Sequence, residues 1–166
     1  MLGILTRAVM RSTLTSIVIA LCLMFPGASA YADGKRLVVV VGKGAGVTNL
    51  SRADLRRCFT GESVSAGGRT LIPFNASPSS PDRIGFDRAV LGMSPDEVGR
   101  YWVDRKIRGQ SGAPRSLPSP AHIAKVAAKF PGAIGYLPAD QLTADVQAVS
   151  VDGIAYTDPR YDIASQ

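Results

Sequence analysis

Residues 70–92, TLIPFNASPSSPDRIGFDRAVLG, restrict the fold more tightly than any other part of the chain. Residues 71–74 are an apolar run with the length of a buried strand, and residues 75–80 are a polar turn. Ser80-Pro81-Asp82 then has the chemistry of a helix start. Proline has no N–H to leave unpaired in a first helical turn, and the serine hydroxyl accepts from the free donors there. A strand that passes through a few polar residues into a helix is the unit from which layered α/β folds are built. The loop is also a candidate anion site. Free backbone N–H groups and the positive end of the helix dipole point into it, and Ser77, Ser79, Ser80 and Arg83 add three hydroxyls and a guanidinium. An ordinary capped turn has the same composition, so these residues alone leave both readings open.

The rest of the chain continues the alternation. Residues 37–41 are a continuous aliphatic run, expected to be buried on both faces of a sheet. Gly42-Lys43-Gly44-Ala45-Gly46 follows as a flexible turn, without the helix that a dinucleotide fingerprint needs directly after its glycines. Ser51 opens a helix with Leu55, Cys58 and Phe59 inward, and Gly61 ends it. The helix after Ser80 is expected to run to Gly92. Ser94-Pro95-Asp96-Glu97 starts another, with Val98, Tyr101 and Trp102 on its inner face. Residues 105–119 form a loop rich in glycine, proline and cations, in which Lys106, Arg108 and Arg115 could fold over the Ser80 helix start as a charged lid. Ser119-Pro120 opens a fourth helix whose inward stripe is Ile123, Val126, Ala127 and Phe130. Residues 132–137 and 146–151 read as closing strands. The order β-α-β-α-α-α-β-β predicts an α/β fold with a mainly parallel sheet flanked by helices.

Residues 1–30 read as a secretory signal. Arg7 and Arg11 form its basic region, residues 13–25 are apolar but short for a membrane span, and Ala28-Ser29-Ala30 offers a cleavage site, with a second after Ala32. Residues 31–166 are then one domain, expected in the periplasm or outside the cell. The net charge of +6 shrinks when the signal arginines leave, so the mature chain is mildly basic and favours anionic partners. Aromatic and basic residues are not interleaved, which argues against nucleic acid. Cys58, the one cysteine left, is expected to be a buried, inert thiol. One histidine and scattered aspartates make no metal cluster. That histidine, His122, stands at a helix start with no serine on a nucleophile elbow, so it reads as a surface residue and the chain as no enzyme.

Taken in order, LSRADLRRCFTGE, NASPSSPDRIGFDRAVLG, the Tyr101-Trp102 pair, the Pro-rich loop and PGAIGYL resemble the small phosphate-binding-protein-like family. That family is similar in turn to the substrate-binding components of phosphate ABC transporters, with the type II periplasmic binding protein fold. The resemblance covers nearly all of residues 37–137. It implies a secreted solute-binding-like protein for phosphate or a similar small oxyanion, linked to ABC-type phosphate uptake and needing no cofactor. In phosphate-binding members the ligand loop reads R-x-x-G-S-G-T, with the arginine, hydroxyls and backbone N–H groups around the anion. Here Asn75 stands near the arginine's place, Ser79 and Ser80 match hydroxyl positions, and Pro81 removes one N–H. Arg83 returns a charge from the next turn, and Ser77, Arg108 and Arg115 complete the candidate set. The family clamps its ligand between two lobes, whereas this chain has the length of one lobe plus hinge strands. The opposite wall would come from a second copy, a membrane transporter or another envelope protein. The departures in the loop support an alternative: a module that kept the scaffold, lost the ligand and serves as an interaction partner in the envelope.

Overall fold

Five aliphatic residues in succession can be satisfied only by burial on both faces, and Leu37, Val38, Val39, Val40 and Val41 are fully buried in the computed structural model, which describes residues 35–166. The expected signal segment lies outside the described residues. The elements in order are β1 (Leu37–Gly42), β2 (Asn49–Leu50), α1 (Arg52–Phe59), β3 (Ser65–Ala66), β4 (Arg69–Thr70), β5 (Ile72–Asn75), α2 (Pro81–Phe86), α3 (Pro95–Ile107), β6 (Arg115–Ser116), α4 (Pro120–Lys129), β7 (Ala133–Pro138), β8 (Val146–Ala148) and β9 (Ser150–Val151).

The main sheet has the order β6-β5-β7-β1-β8. β5 runs parallel to both β6 and β7, because the chain returns to the sheet through helices: α2 and α3 lead to β6, and α4 leads to β7. β1 runs antiparallel to β7 and β8. The expected α/β class with flanking helices is present, with parallel pairing around β5, where the candidate loop leaves the sheet. Side chains from helices and sheet form one continuous core.

Local chemistry explains most helix boundaries and the places where they shift. Ser51, Ser80 and Ser94 cap α1, α2 and α3 as expected, and Ser94 with Glu97 closes a full capping box. The helix after Ser80 stops at Phe86 and continues to Gly92 as a π-helical turn, Asp87–Leu91. Ile123 and Ala127 face the core as predicted, but Phe130 is 59% exposed. Pro131 disfavours helical geometry in the residue before it, so Phe130 leaves α4 in an extended conformation and drops out of the stripe. Residues 62–69 hold an unexpected small hairpin, β3 against β4, turned by Gly67 and Gly68 at positive φ. The single strand expected over 146–151 is two: β8 pairs with β1, and β9 pairs with β2.

α3 is anchored from one side. The Tyr101 hydroxyl donates to the Thr60 carbonyl (2.9 Å), and the Arg105 guanidinium reaches the Gly61 carbonyl (3.4 Å) and the Ser111 hydroxyl (3.0 Å). A cation thus sits at the carbonyl end of α1, where the helix dipole favours it. Trp102 is half-buried beneath Arg105, while Val103 and Ile107 face outward and are exposed.

The last residues lie along α2. Ser165 donates to Lys35, Gln166 donates to the Pro81 carbonyl, and a Cβ added at Gly85 would stand 2.1 Å from the Ala164 carbonyl oxygen. Gly85→Ala should therefore destabilise by about 1–3 kcal/mol of overpacking, more than the roughly 1 kcal/mol that alanine gains in a helix. Gly99 in α3 has open space around it and ordinary helical φ. The same substitution there should stabilise by about 0.5–1 kcal/mol. Urea denaturation of the two variants should give opposite signs.

Candidate functional site

β5 ends at Asn75, and the loop from Ala76 to Ser80 carries the chain to α2. Asn75 is only 1% exposed, so its amide needs an internal partner. The Tyr136 hydroxyl supplies it, donating to Asn75 Oδ1 (3.3 Å) while accepting from the Ala76 backbone N–H (3.3 Å). Tyr136 is fixed by stacking on Phe86, with ring centroids 3.8 Å apart and planes within 4°, and by Phe59 at 5.9 Å. Burial pushes its phenol well above the ordinary value, so it stays protonated and able to donate.

Within the loop most donors and acceptors are already committed. The Ser80 N–H and hydroxyl both donate to the Ser77 carbonyl (2.9 and 2.8 Å), and the same hydroxyl accepts from the Arg83 N–H (3.2 Å). The Ser77 hydroxyl reaches the Leu117 carbonyl at 3.4 Å. Ser79 is exposed. Arg83 turns inward: its Nε donates to Asp87 Oδ2 at 2.5 Å, and the two residues are 6% and 4% exposed. Burial raises the Asp87 carboxyl above its ordinary range, and the Arg83 charge opposes that. The charge expected to return to the loop is therefore spent inside α2, and Asp87 Oδ1 has no partner among the described residues.

The two remaining arginines are treated differently. Arg115 is exposed on β6 opposite Phe74, and the Leu117 N–H donates to the Asn75 carbonyl (2.8 Å), so the strand pairing brings this end of the basic loop beside residues 75–77. Arg108 caps the end of α3 and pairs with Asp104 one turn back. Lys106 is exposed on the same helix. His122 is exposed, with Nδ1 2.8 Å from the Ser119 hydroxyl, as a surface histidine at a helix start. Cys58 is buried, and burial pushes its thiol up to about 12.

Sequence reading missed Tyr136 and Asp87. Asp87 had a signal, being one helical turn from Arg83, but Tyr136 is brought to Asn75 only by the pairing of β5 with β7. No residue of the 75–83 segment lines either of two concavities at α4, of about 490 and 70 Å³. Among the described residues no group of three or more His, Cys, Asp or Glu could hold a metal ion, and no helix is long and apolar enough to cross a membrane.

A mixed sheet with a parallel trio, and helix starts beyond the carboxyl ends of β5 and β6, defines an α/β lobe. Solved structures share it. The chain superposes on an ABC-type phosphate transport receptor from Vibrio cholerae with a TM-score of 0.60 at 16% identity, covering 79% of this chain and 54% of that one. A putative phosphate ABC transporter substrate-binding protein with bound phosphate, from Clostridium perfringens, gives 0.62 at 17% over 79% and 53%. PstS from Borrelia burgdorferi gives 0.59 at 15% over 80% and 55%. The fold is therefore of the type II periplasmic binding protein kind, as the motif order implied. The chain spans about half the length of the solved structures it matches. No protein-family model and no curated protein matches it.

The Arg83–Asp87 pair has two measurable consequences. Asp87→Ala leaves a buried guanidinium uncompensated and should cost about 3–5 kcal/mol, whereas Arg83→Met with Asp87→Leu should recover most of that. The raised Asp87 value means that the folded chain holds this proton more tightly than the unfolded chain. Its contribution is fully present below the ordinary carboxylate range and is lost as pH rises through the raised value. The stability of the wild type relative to Asp87→Asn should therefore climb as pH falls through that window, measured by urea titration over a pH series.

Proposed function

We propose that the chain is a non-enzymatic, solute-binding-like protein of the periplasm or extracellular space that takes phosphate or a similar small oxyanion, alongside ABC-type phosphate uptake. The observation that supports this reading is the shared fold with an ABC-type phosphate transport receptor and a putative phosphate ABC transporter substrate-binding protein. The candidate loop leaves β5 on the carboxyl side of the parallel strands, where ligands of open α/β sheets bind. Asn75, Ser77, Ser79, Ser80 and Arg83 belong to that segment, Arg115 lies beside it, and Arg108 is the more distant charge on α3. A single lobe supplies one wall, and a second copy or a membrane transporter supplies the other.

A second reading is favoured by a specific observation. Arg83 is neutralised inside α2, and the Asn75 amide is occupied by Tyr136, so the two groups that would replace the family's arginine are turned away from solvent. A scaffold in that state serves as an envelope interaction module without an anion.

Calorimetric titration of inorganic phosphate into the mature chain separates the two. The first reading expects saturable heat. Exposed charges contribute about 1 kcal/mol or less each, so Arg108→Ala with Arg115→Ala should weaken binding up to about thirtyfold and flatten its salt dependence. Absence of heat at millimolar phosphate would overturn the oxyanion reading and leave the interaction module.

A further inference from the structure

Along α4 runs a groove of about 490 Å³, floored by alanines of the helix. Lys125 and Lys129 rise from α4, Lys43 comes from the turn after β1, and Asp145 comes from the segment before β8. A smaller hollow of about 70 Å³ shares Lys43 and Lys129 and adds Arg69 and Phe130. Three lysines from two separate parts of the chain thus line the larger groove with a single carboxylate, and Arg69 joins two of them at the smaller hollow. None of the four makes an ion pair among the described residues, whose pairs use Lys35, Arg52, Arg57, Arg83, Arg108 and Arg160. Lys129 suits the carbonyl end of α4, but that accounts for one charge only.

Like charges gathered around a low-dielectric wall focus a positive potential into the concavity and steer an anionic partner toward it. The shape selects among anionic partners. A bilayer surface cannot enter a groove, and a small ion would touch one side of it, whereas a chain segment fills its length. The floor is alanine, so a backbone can approach closely, and Phe130 offers an exposed apolar face at the end. We infer that this groove docks an acidic segment of a partner protein, with carboxylates on Lys43, Lys125 and Lys129 and apolar side chains against the alanines and Phe130. The inference does not depend on an anion at the Ser80 loop. It needs only a protein partner, which both readings above include.

Photo-cross-linking with the full chain in the cells that produce it tests the inference. A benzoylphenylalanine probe is placed at Ala128 in the groove, and separately at Val103 on the exposed face of α3; Ala121, also exposed, replaces Ala128 if that variant misfolds. The expected result is a protein adduct at the groove whose cross-linked segment, mapped by mass spectrometry, carries more Asp and Glu than Lys and Arg. Lys43→Glu with Lys125→Glu, which leaves Lys129 at the end of α4 in place, should cut its yield at least tenfold with a cooperative thermal melt retained. A lipid adduct, a neutral or basic segment, or a yield indifferent to the charge reversal overturns the inference. An adduct from Val103 alone overturns the groove and leaves the interaction module standing. No protein adduct from either position removes both.

Discussion

The stack of Tyr136 on Phe86, with the tyrosine hydroxyl between Asn75 and Ala76, is the contact on which the rest of this lobe depends. It joins β7 to α2 through the rings and β7 to the end of β5 through the hydroxyl, and Phe59 adds α1 to the same cluster. An aromatic ring supplies buried area, but only a tyrosine at this position can also satisfy a backbone N–H and an amide oxygen inside the core. The path that the chain takes from β5 into the candidate loop is thereby set from beneath, by groups that never reach solvent.

A second buried feature lies beside the candidate loop. Arg83 and Asp87 neutralise each other within one turn of helix, which lets both charges be buried but removes a cation from the loop. A buried pair of this kind gives little net stability compared with apolar side chains of the same size, and its main effect is to penalise any state in which one partner is exposed alone. Moving Arg83 outward to meet an anion would strand Asp87, already short of one partner. The pair therefore biases α2 toward the conformation seen here, in which the loop offers hydroxyls and backbone rather than a fixed charge.

Much of the fold was legible because its signals are local. Ser-Pro starts, the aliphatic run of β1 and the apolar faces of α1 and α4 each follow from neighbours in sequence, and each element stands where those neighbours place it. The misreadings have equally local causes that periodicity overlooks: Pro131 pulls Phe130 out of a helical stripe, and paired glycines turn an apparent loop into a hairpin. The candidate site was legible only as far as its loop. What holds Asn75 depends on β7 pairing beside β5, a contact about sixty residues away in the chain, whereas Arg83 turns toward Asp87 one helical turn on.

α4 lies between the two surfaces for which roles are proposed. Its start comes three residues after Leu117, whose carbonyl accepts from the Ser77 hydroxyl of the candidate loop. Its last residues border the lysine groove. Ten residues of helix span only about 15 Å, yet they present opposite partial charges at the two ends. Lysines at the carbonyl end offset the negative pole there, so they stabilise the helix whether or not a partner is bound. That offset is local and nearly complete with Lys129 alone. Lys43 and Arg69, brought in from other elements, add repulsion that the helix does not require. Excess charge of one sign, held around the groove with Asp145 as the one carboxylate lining it, is a cost in the isolated lobe, and on the docking proposal it is relieved when carboxylates from outside enter the groove.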